Sequence, residues 1–238
     1  MKVDILAIGA HPDDVELSCA GTLAKAIATG KKVAILDLTL GELGTRGSAE
    51  LRTQEAQNAA AVLGVAQRYN LGFADGFFQN DKEHQLKVIE FIRLLQPEIV
   101  LCNATSDRHP DHGRAAKLVA ESCFLSGLIK IQTTHQGVSQ KAWRPKQLYH
   151  YIQWNNAAPD FVVDISAQIE IKMNAVVAYS SQFFKPDSNE PETPISSENF
   201  LNSIRYRAAD LGRMVGVAYA EGFTTSRLLA VQTISDLI

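Results

Sequence analysis

Two short segments hold the side chains with which this chain could bind a metal and hydrolyse a bond. Ala10-His11-Pro12-Asp13-Asp14 lies near the amino terminus, and Arg108-His109-Pro110-Asp111-His112 lies near the middle. Together they offer three histidines and three aspartates. A catalytic zinc takes three nitrogen or oxygen ligands and keeps a fourth position for water. Bound water then has a pKa near ~7 in favourable cases, so hydroxide exists at neutral pH. Amide hydrolysis also needs a carboxylate to take the water proton and a cationic or hydrogen-bonding group facing the developing oxyanion. His-Pro-Asp-Asp supplies a ligand, a candidate base and a second ligand, and His-Pro-Asp-His supplies a third ligand and a spare imidazole. Spacing leaves the choice of the three ligands open. Taken singly neither segment is diagnostic, because Asp at a helix start is a common N-cap. Both together, at the ends of two strands, point to a metal site.

Elements must bring these segments together. Val3–Ala10 is a short β-rich run. A helix follows from about Val15 to Thr29, with Leu17, Ala20, Ala24 and Ile27 on one face and Gly30 as its stop. Val33–Leu40 is the next strand; Ser48 caps a helix that runs to Leu63 and ends at Gly64. Arg68–Leu71 is a short strand, Glu83–Leu95 a helix, Glu98–Asn103 a buried strand, and His112–Ser126 a helix closed by Gly127. This alternation predicts an α/β fold, a mostly parallel sheet with helices on both faces. Ligands of such sheets bind beyond the carboxyl ends of the strands, where both His-Pro-Asp segments fall. Further on, Gln147–Trp154 and Phe161–Ile165 read as strands, and Ser166 as the cap of a helix to about Ser181. Lys185–Ser197 is a loop, and Glu198 to about Met214 a helix. With no repeat or linker, residues 1–238 read as one domain.

The bulk properties narrow the partners. Hydrophobic residues make up 46% and charged ones 21%, and the net charge of −3 comes without any basic stripe, so nucleic acid is not expected. No apolar stretch approaches the roughly 18 residues of a membrane span. The first residues read as a strand and lack the layout of a signal peptide, which predicts a cytoplasmic protein. Cys19, Cys102 and Cys123 are odd in number and widely spaced, as expected of buried free thiols. Asn103-Ala104-Thr105 matches a glycosylation sequon by chance. His84 and His135 read as solvated, His150 as packed in an aromatic strand, and Phe77 and Phe78 as pocket wall or core. Arg108, beside the second segment, could meet a substrate carboxylate bidentately, with Arg144 a weaker candidate of the same kind.

HPDDVELSCAG, RHPDHGRAA and the distal GVAYAEGF resemble the LmbE-like (PIG-L) deacetylases nearly end to end, and most of all the subgroup that acts in bacillithiol biosynthesis. The resemblance implies a Rossmann-like fold and one Zn²⁺ per subunit held by His11, Asp14 and His112, although N/O sites also accept Fe²⁺ or Mn²⁺. It implies Asp13 as general base, His109 as the group that stabilises or protonates the intermediate, and Asp111 as the carboxylate that orients the spare imidazole. Glu42, Arg52 and Asp75 would contact the sugar or its attached group, although Arg52, near Glu55 on a helix, also reads as a surface charge. The expected substrate is N-acetylglucosaminyl malate, whose malyl group would give Arg108 a carboxylate. The alternatives are a metallohydrolase of another N-acetyl sugar or a chitooligosaccharide, and a non-catalytic sugar-binding relative. A homo-oligomer, a hexamer in the relatives, is also implied. Glu221-Gly222-Phe223 matches the family without a role that the residues themselves suggest.

Overall fold

A computed structural model describes residues 2–186 and 188–236. Strands β1 (Ile5–Gly9), β2 (Val33–Thr39), β3 (Gln67–Phe73) and β4 (Ile99–Cys102) alternate with helices α1 (Asp14–Ala28), α2 (Ala49–Leu63), α3 (Lys82–Leu95) and α4 (Pro110–Leu125). A small hairpin, β5 (Thr134–His135) and β6 (Val138–Ser139), precedes β7 (Gln147–Tyr151) and β8 (Phe161–Asp164). Helices α5 (Ile169–Val177) and α6 (Glu198–Met214), strand β9 (Ala220–Thr224) and a 3-10 turn at Ile234–Asp236 complete the chain.

Seven strands form one sheet in the order β3-β2-β1-β4-β7-β9-β8. The first five are parallel, and β9 runs antiparallel to both β7 and β8. The expected mostly parallel α/β architecture is therefore present. All of β1 and β2 is buried, because helices cover both faces. In β1 the pleat sends Ile5 and Ala7 against α1, α2 and α5, and Leu6 and Ile8 against α3 and α4. Local signals set the ends as read: Ser48 Oγ accepts from the Leu51 amide at 3.2 Å, and Gly64 closes α2 at φ 74°.

The carboxyl-terminal third departs from the expectation in three places. Ser166 caps no helix; its Oγ donates to Asp164 and accepts from the amides of Ala218 and Tyr219, and α5 starts only at Ile169 and stops at Val177. The strand at Gln147 ends at Tyr151, which leaves Trp154 in a loop. Ala220–Thr224, without apparent role in the sequence, is an inner strand. Its Glu221 is buried against Lys172, 2.6 Å away, and accepts from the amides of Gly21 and Thr22 in α1. On the other side of the sheet's centre, buried Arg68 bridges Glu16 of α1 and Asp37 of β2. The three cysteines are free and buried, as expected.

Candidate active site

Strands β1 and β4 are neighbours, and from them the chain builds outward in opposite directions, through β2 and β3 on one side and β7 on the other. Their carboxyl ends mark the switch point of the sheet. His11, Asp13 and Asp14 follow β1, and Asp107, His109, Asp111 and His112 follow β4, so both motifs meet at one place. His11, Asp13, Asp14, Asp111 and His112 are buried; His109 is half-buried and caps α4, with Pro110 in its first turn.

Asp14 lies between two imidazoles. Its Oδ1 is 3.2 Å from His112 Nε2 and its Oδ2 is 3.6 Å from His11 Nδ1. Donors on a tetrahedral zinc, at bond lengths of about 2.0–2.1 Å, are separated by about 3.3 Å, so this spacing fits a metal. The far nitrogen of each ring faces a carboxylate: His112 Nδ1 meets Asp107 at 2.6 Å, and His11 Nε2 meets Asp75 at 3.0 Å and Asp111 at 3.3 Å. Metal-bound histidines use their second nitrogen in this way. Ring nitrogens of His11, His109 and His112 also come within 4.8 Å of one another, as do His11, Asp75 and Asp111. In the latter group the acids are already engaged, Asp111 by Arg114 and the Gly76 amide and Asp75 by the Leu43 amide. The group of three histidines adjoins Asp14, whose two oxygens face His112 and His11. Despite burial, Asp14 and Asp107 hold the His112 imidazole up at about 9, which reports how negative this site is.

Asp13 precedes α1 in a left-handed backbone conformation, φ 117°, which is uncommon outside glycine and costs on the order of 1–3 kcal/mol. Arg52 of α2 holds that turn: it donates to the Pro12 carbonyl at 2.5 Å, to the Gly41 carbonyl at 3.1 Å and to Asp13 Oδ2 at 3.1 Å. Burial lifts the Asp13 carboxyl to about 7 against the opposing pull of Arg52. Arg52 is thus buried rather than the surface charge it resembled, and a Cβ at Gly41 would sit 2.0 Å from its guanidinium.

His109 Nδ1 accepts from the Asp111 amide at 3.2 Å, so in the neutral ring the proton sits on Nε2. Burial, reinforced by His11 and His112, lowers its pKa and favours that neutral ring. The Asp111 carboxylate does not orient His109 as expected; it lies against His11, because Arg114 and the Gly76 amide draw it to that side.

These groups floor a cavity of roughly 350 Å³, with Leu17, Ile195, Phe200 and Ile204 as an apolar wall. Of the expected substrate contacts, Arg52, Asp75 and Arg108 line it, and the Arg108 guanidinium lies 4.3 Å from the centre of the Trp154 ring. Glu42 does not line the cavity: it is exposed and accepts from the Asp75 amide at 2.8 Å, bracing the loop. Arg144 lies elsewhere, stacked on Phe124 and donating to its carbonyl, because it packs against Gly127 beyond the end of α4. Phe78 enters the core, whereas Phe77 is 71% exposed. His150 packs, bonded to the Asn103 carbonyl, and His84 and His135 pair with Asp81 and Glu90. Asp107, Asn103, Gln153 and Arg207 escaped the sequence reading; of these only Asp107, two residues before His109, carried a local signal.

Residues 6–123 match the family described as PIG-L: GlcNAc-PI de-N-acetylase. The diacetylchitobiose deacetylase of Thermococcus kodakarensis is 30% identical over 231 residues, which cover 92% of this chain and 81% of that protein. The chain belongs to the PIG-L deacetylase family. A probable N-acetyl-α-D-glucosaminyl L-malate deacetylase 2 of Bacillus subtilis is 27% identical, over 76% of this chain and 84% of the relative. The conserved protein TT1542 from Thermus thermophilus superposes with a TM-score of 0.84 at 37% identity, covering 97% of this chain and 98% of that one. As a PIG-L deacetylase the protein is an amidohydrolase of a metal-dependent kind. No helix among its described residues is long and apolar enough to cross a membrane.

Proposed function

We propose that the protein removes the N-acetyl group of an N-acetylglucosamine-type small molecule, using one zinc ion held by His11, Asp14 and His112. The observation that carries this reading is the carboxylate behind each imidazole, Asp107 on His112 and Asp75 with Asp111 on His11. When bound, the metal supplies a Lewis acid and lowers the pKa of a water molecule. Asp13 takes the proton of the attacking water, with Arg52 holding its Oδ2. His109 donates from Nε2 to the carbonyl oxygen as negative charge grows there. The departing amine receives its proton from Asp13 or His109.

Within this class N-acetylglucosaminyl malate is the favoured substrate. Arg108 and Arg207 border the cavity, and neither is paired with a carboxylate among the described residues: Arg108 stacks on Trp154, and Arg207 donates to the Gln153 carbonyl. A malyl group brings carboxylates to such cations. The Bacillus relative's name points the same way. A short chitooligosaccharide is the second reading, favoured by the more extensive match to the Thermococcus enzyme. Amine release from N-acetylglucosaminyl malate, diacetylchitobiose and N-acetylglucosamine, with zinc-loaded and chelator-stripped protein, separates the two. Zinc-dependent release fastest from the malate glycoside is expected. Faster release from diacetylchitobiose moves the assignment to the second reading, and no release from any of the three with zinc bound refutes both.

A further inference from the structure

Two buried amides beside the metal ligands take no part in the chemistry above. Asn103, at the end of β4, is fully buried, and Gln153, two residues past β7, is 5% exposed. We propose that Asn103 and Gln153 are positioning residues that lock the Asp14 carboxylate in ligating orientation and so set the affinity for the divalent ion. This rests on the ligand set His11, Asp14 and His112.

The direction of each hydrogen bond follows from the one before it. The Ala10 amide can only donate, and it donates to Asn103 Oδ1 at 3.0 Å. Asn103 Nδ2 must then face the other way, where it donates to Asp14 Oδ2 at 2.9 Å and to Gln153 Oε1 at 2.8 Å. With its oxygen engaged, Gln153 turns Nε2 to Asp14 Oδ1 at 2.9 Å. Each oxygen of Asp14 thus receives one side-chain amide N–H, and Oδ2 also accepts from the His11 backbone at 3.0 Å. The carboxylate plane is fixed from both ends. Arg207 of α6 fixes Gln153 in turn by donating to its main-chain carbonyl.

Neutral amides suit this task for an electrostatic reason. A carboxylate at either position would set acceptor against acceptor in a buried space. A residue without donors would leave an Asp14 oxygen one hydrogen bond short and free to rotate away from His112. The amides hold the ligand without adding charge of their own, so they orient it and leave the charge of the site to the acids around the rings.

The test uses the full-length protein, stripped of metal and titrated with Zn²⁺ in competition with a fluorescent chelator. Gln153→Ala is expected to weaken zinc binding by about 10–100-fold, the usual effect of losing a partner of a ligand. Thermal unfolding of the metal-free variant should stay close to that of the parent, which separates positioning from a general loss of structure. Gln153→Met, which fills the space without hydrogen bonding, should match Gln153→Ala and serves if the smaller side chain does not fold. Gln182→Ala, at a cavity glutamine bonded to Arg46 and Ser181 instead of Asp14, should leave zinc affinity unchanged. Parent-like affinity in both Gln153 variants overturns the proposal. Failure of the parent itself to bind any divalent ion overturns the ligand set beneath it.

Discussion

Glu221→Gln removes a charge while keeping the shape of the side chain, at a site where the cost can be worked out. Lys172 and Glu221 have side chains only 2% and 3% exposed and lie 2.6 Å apart. Glu221 also accepts from the Gly21 amide at 3.0 Å, the Thr22 amide at 2.7 Å and the Thr22 hydroxyl at 2.7 Å, while Lys172 Nζ donates to the Leu17 carbonyl at 2.9 Å. A glutamine keeps one oxygen for the α1 amides but strands the ammonium, and breaking a buried pair from one side costs about 3–5 kcal/mol. For a domain of this size each kcal/mol moves the thermal midpoint by about 2–4 °C, so a fall of roughly 6–20 °C is expected. Adding Lys172→Met removes the stranded cation, and most of the loss should return, because a neutral replacement of both partners is often tolerated. Urea denaturation of the metal-free parent, both single variants and the double variant measures this as a coupling energy. If Glu221→Gln unfolds within about 1 kcal/mol of the parent, or the double variant is no more stable than Glu221→Gln, the pair is not the tether described.

Asp13→Asn should lower kcat by about 10²–10⁴-fold with zinc content, read by atomic absorption, unchanged; a fully active variant would remove Asp13 as the base. His112→Ala should lose the metal itself, and stoichiometric zinc in that protein would require another ligand. Ser48→Ala removes the cap of the helix that carries Arg52 and should cost about 1 kcal/mol in urea denaturation. Arg144→Ala should leave amine release unaltered, since its guanidinium lies on Phe124; a rise in KM for the malate glycoside would return it to the substrate site.

The sequence was most legible where a local rule acts alone. Ser48, Gly64 and the apolar runs Ile5–Ile8 of β1 and Val33–Leu36 of β2 each announce a helix end or a buried strand, and the structure agrees to within a few residues. Ala220–Thr224 gave no such signal, because a strand containing Ala and Gly is specified by its two neighbours rather than by its own residues. Ser166 read as a cap because hydroxyls commonly cap helices, but here the β8–β9 pairing supplies amides that claim it first. In the site, His11 and His112 announced themselves by motif. Asn103 and Gln153 did not, since their meaning lies in a contact between residues 50 positions apart. Arg144 misled for the converse reason: an arginine's reach conceals which way it turns, and Phe124 held it.

The buried cysteines have a practical consequence for following this protein in solution. Burial pushes the Cys102 and Cys19 thiols well above their ordinary range and Cys123 to about 12, so all three remain protonated and poorly nucleophilic toward alkylating reagents at neutral pH. The native background for thiol-directed labelling is therefore low without removing any of them. A single cysteine at the exposed position of Phe77, next to the cavity-lining Gly76, would take a fluorophore selectively and signal ligands entering or leaving.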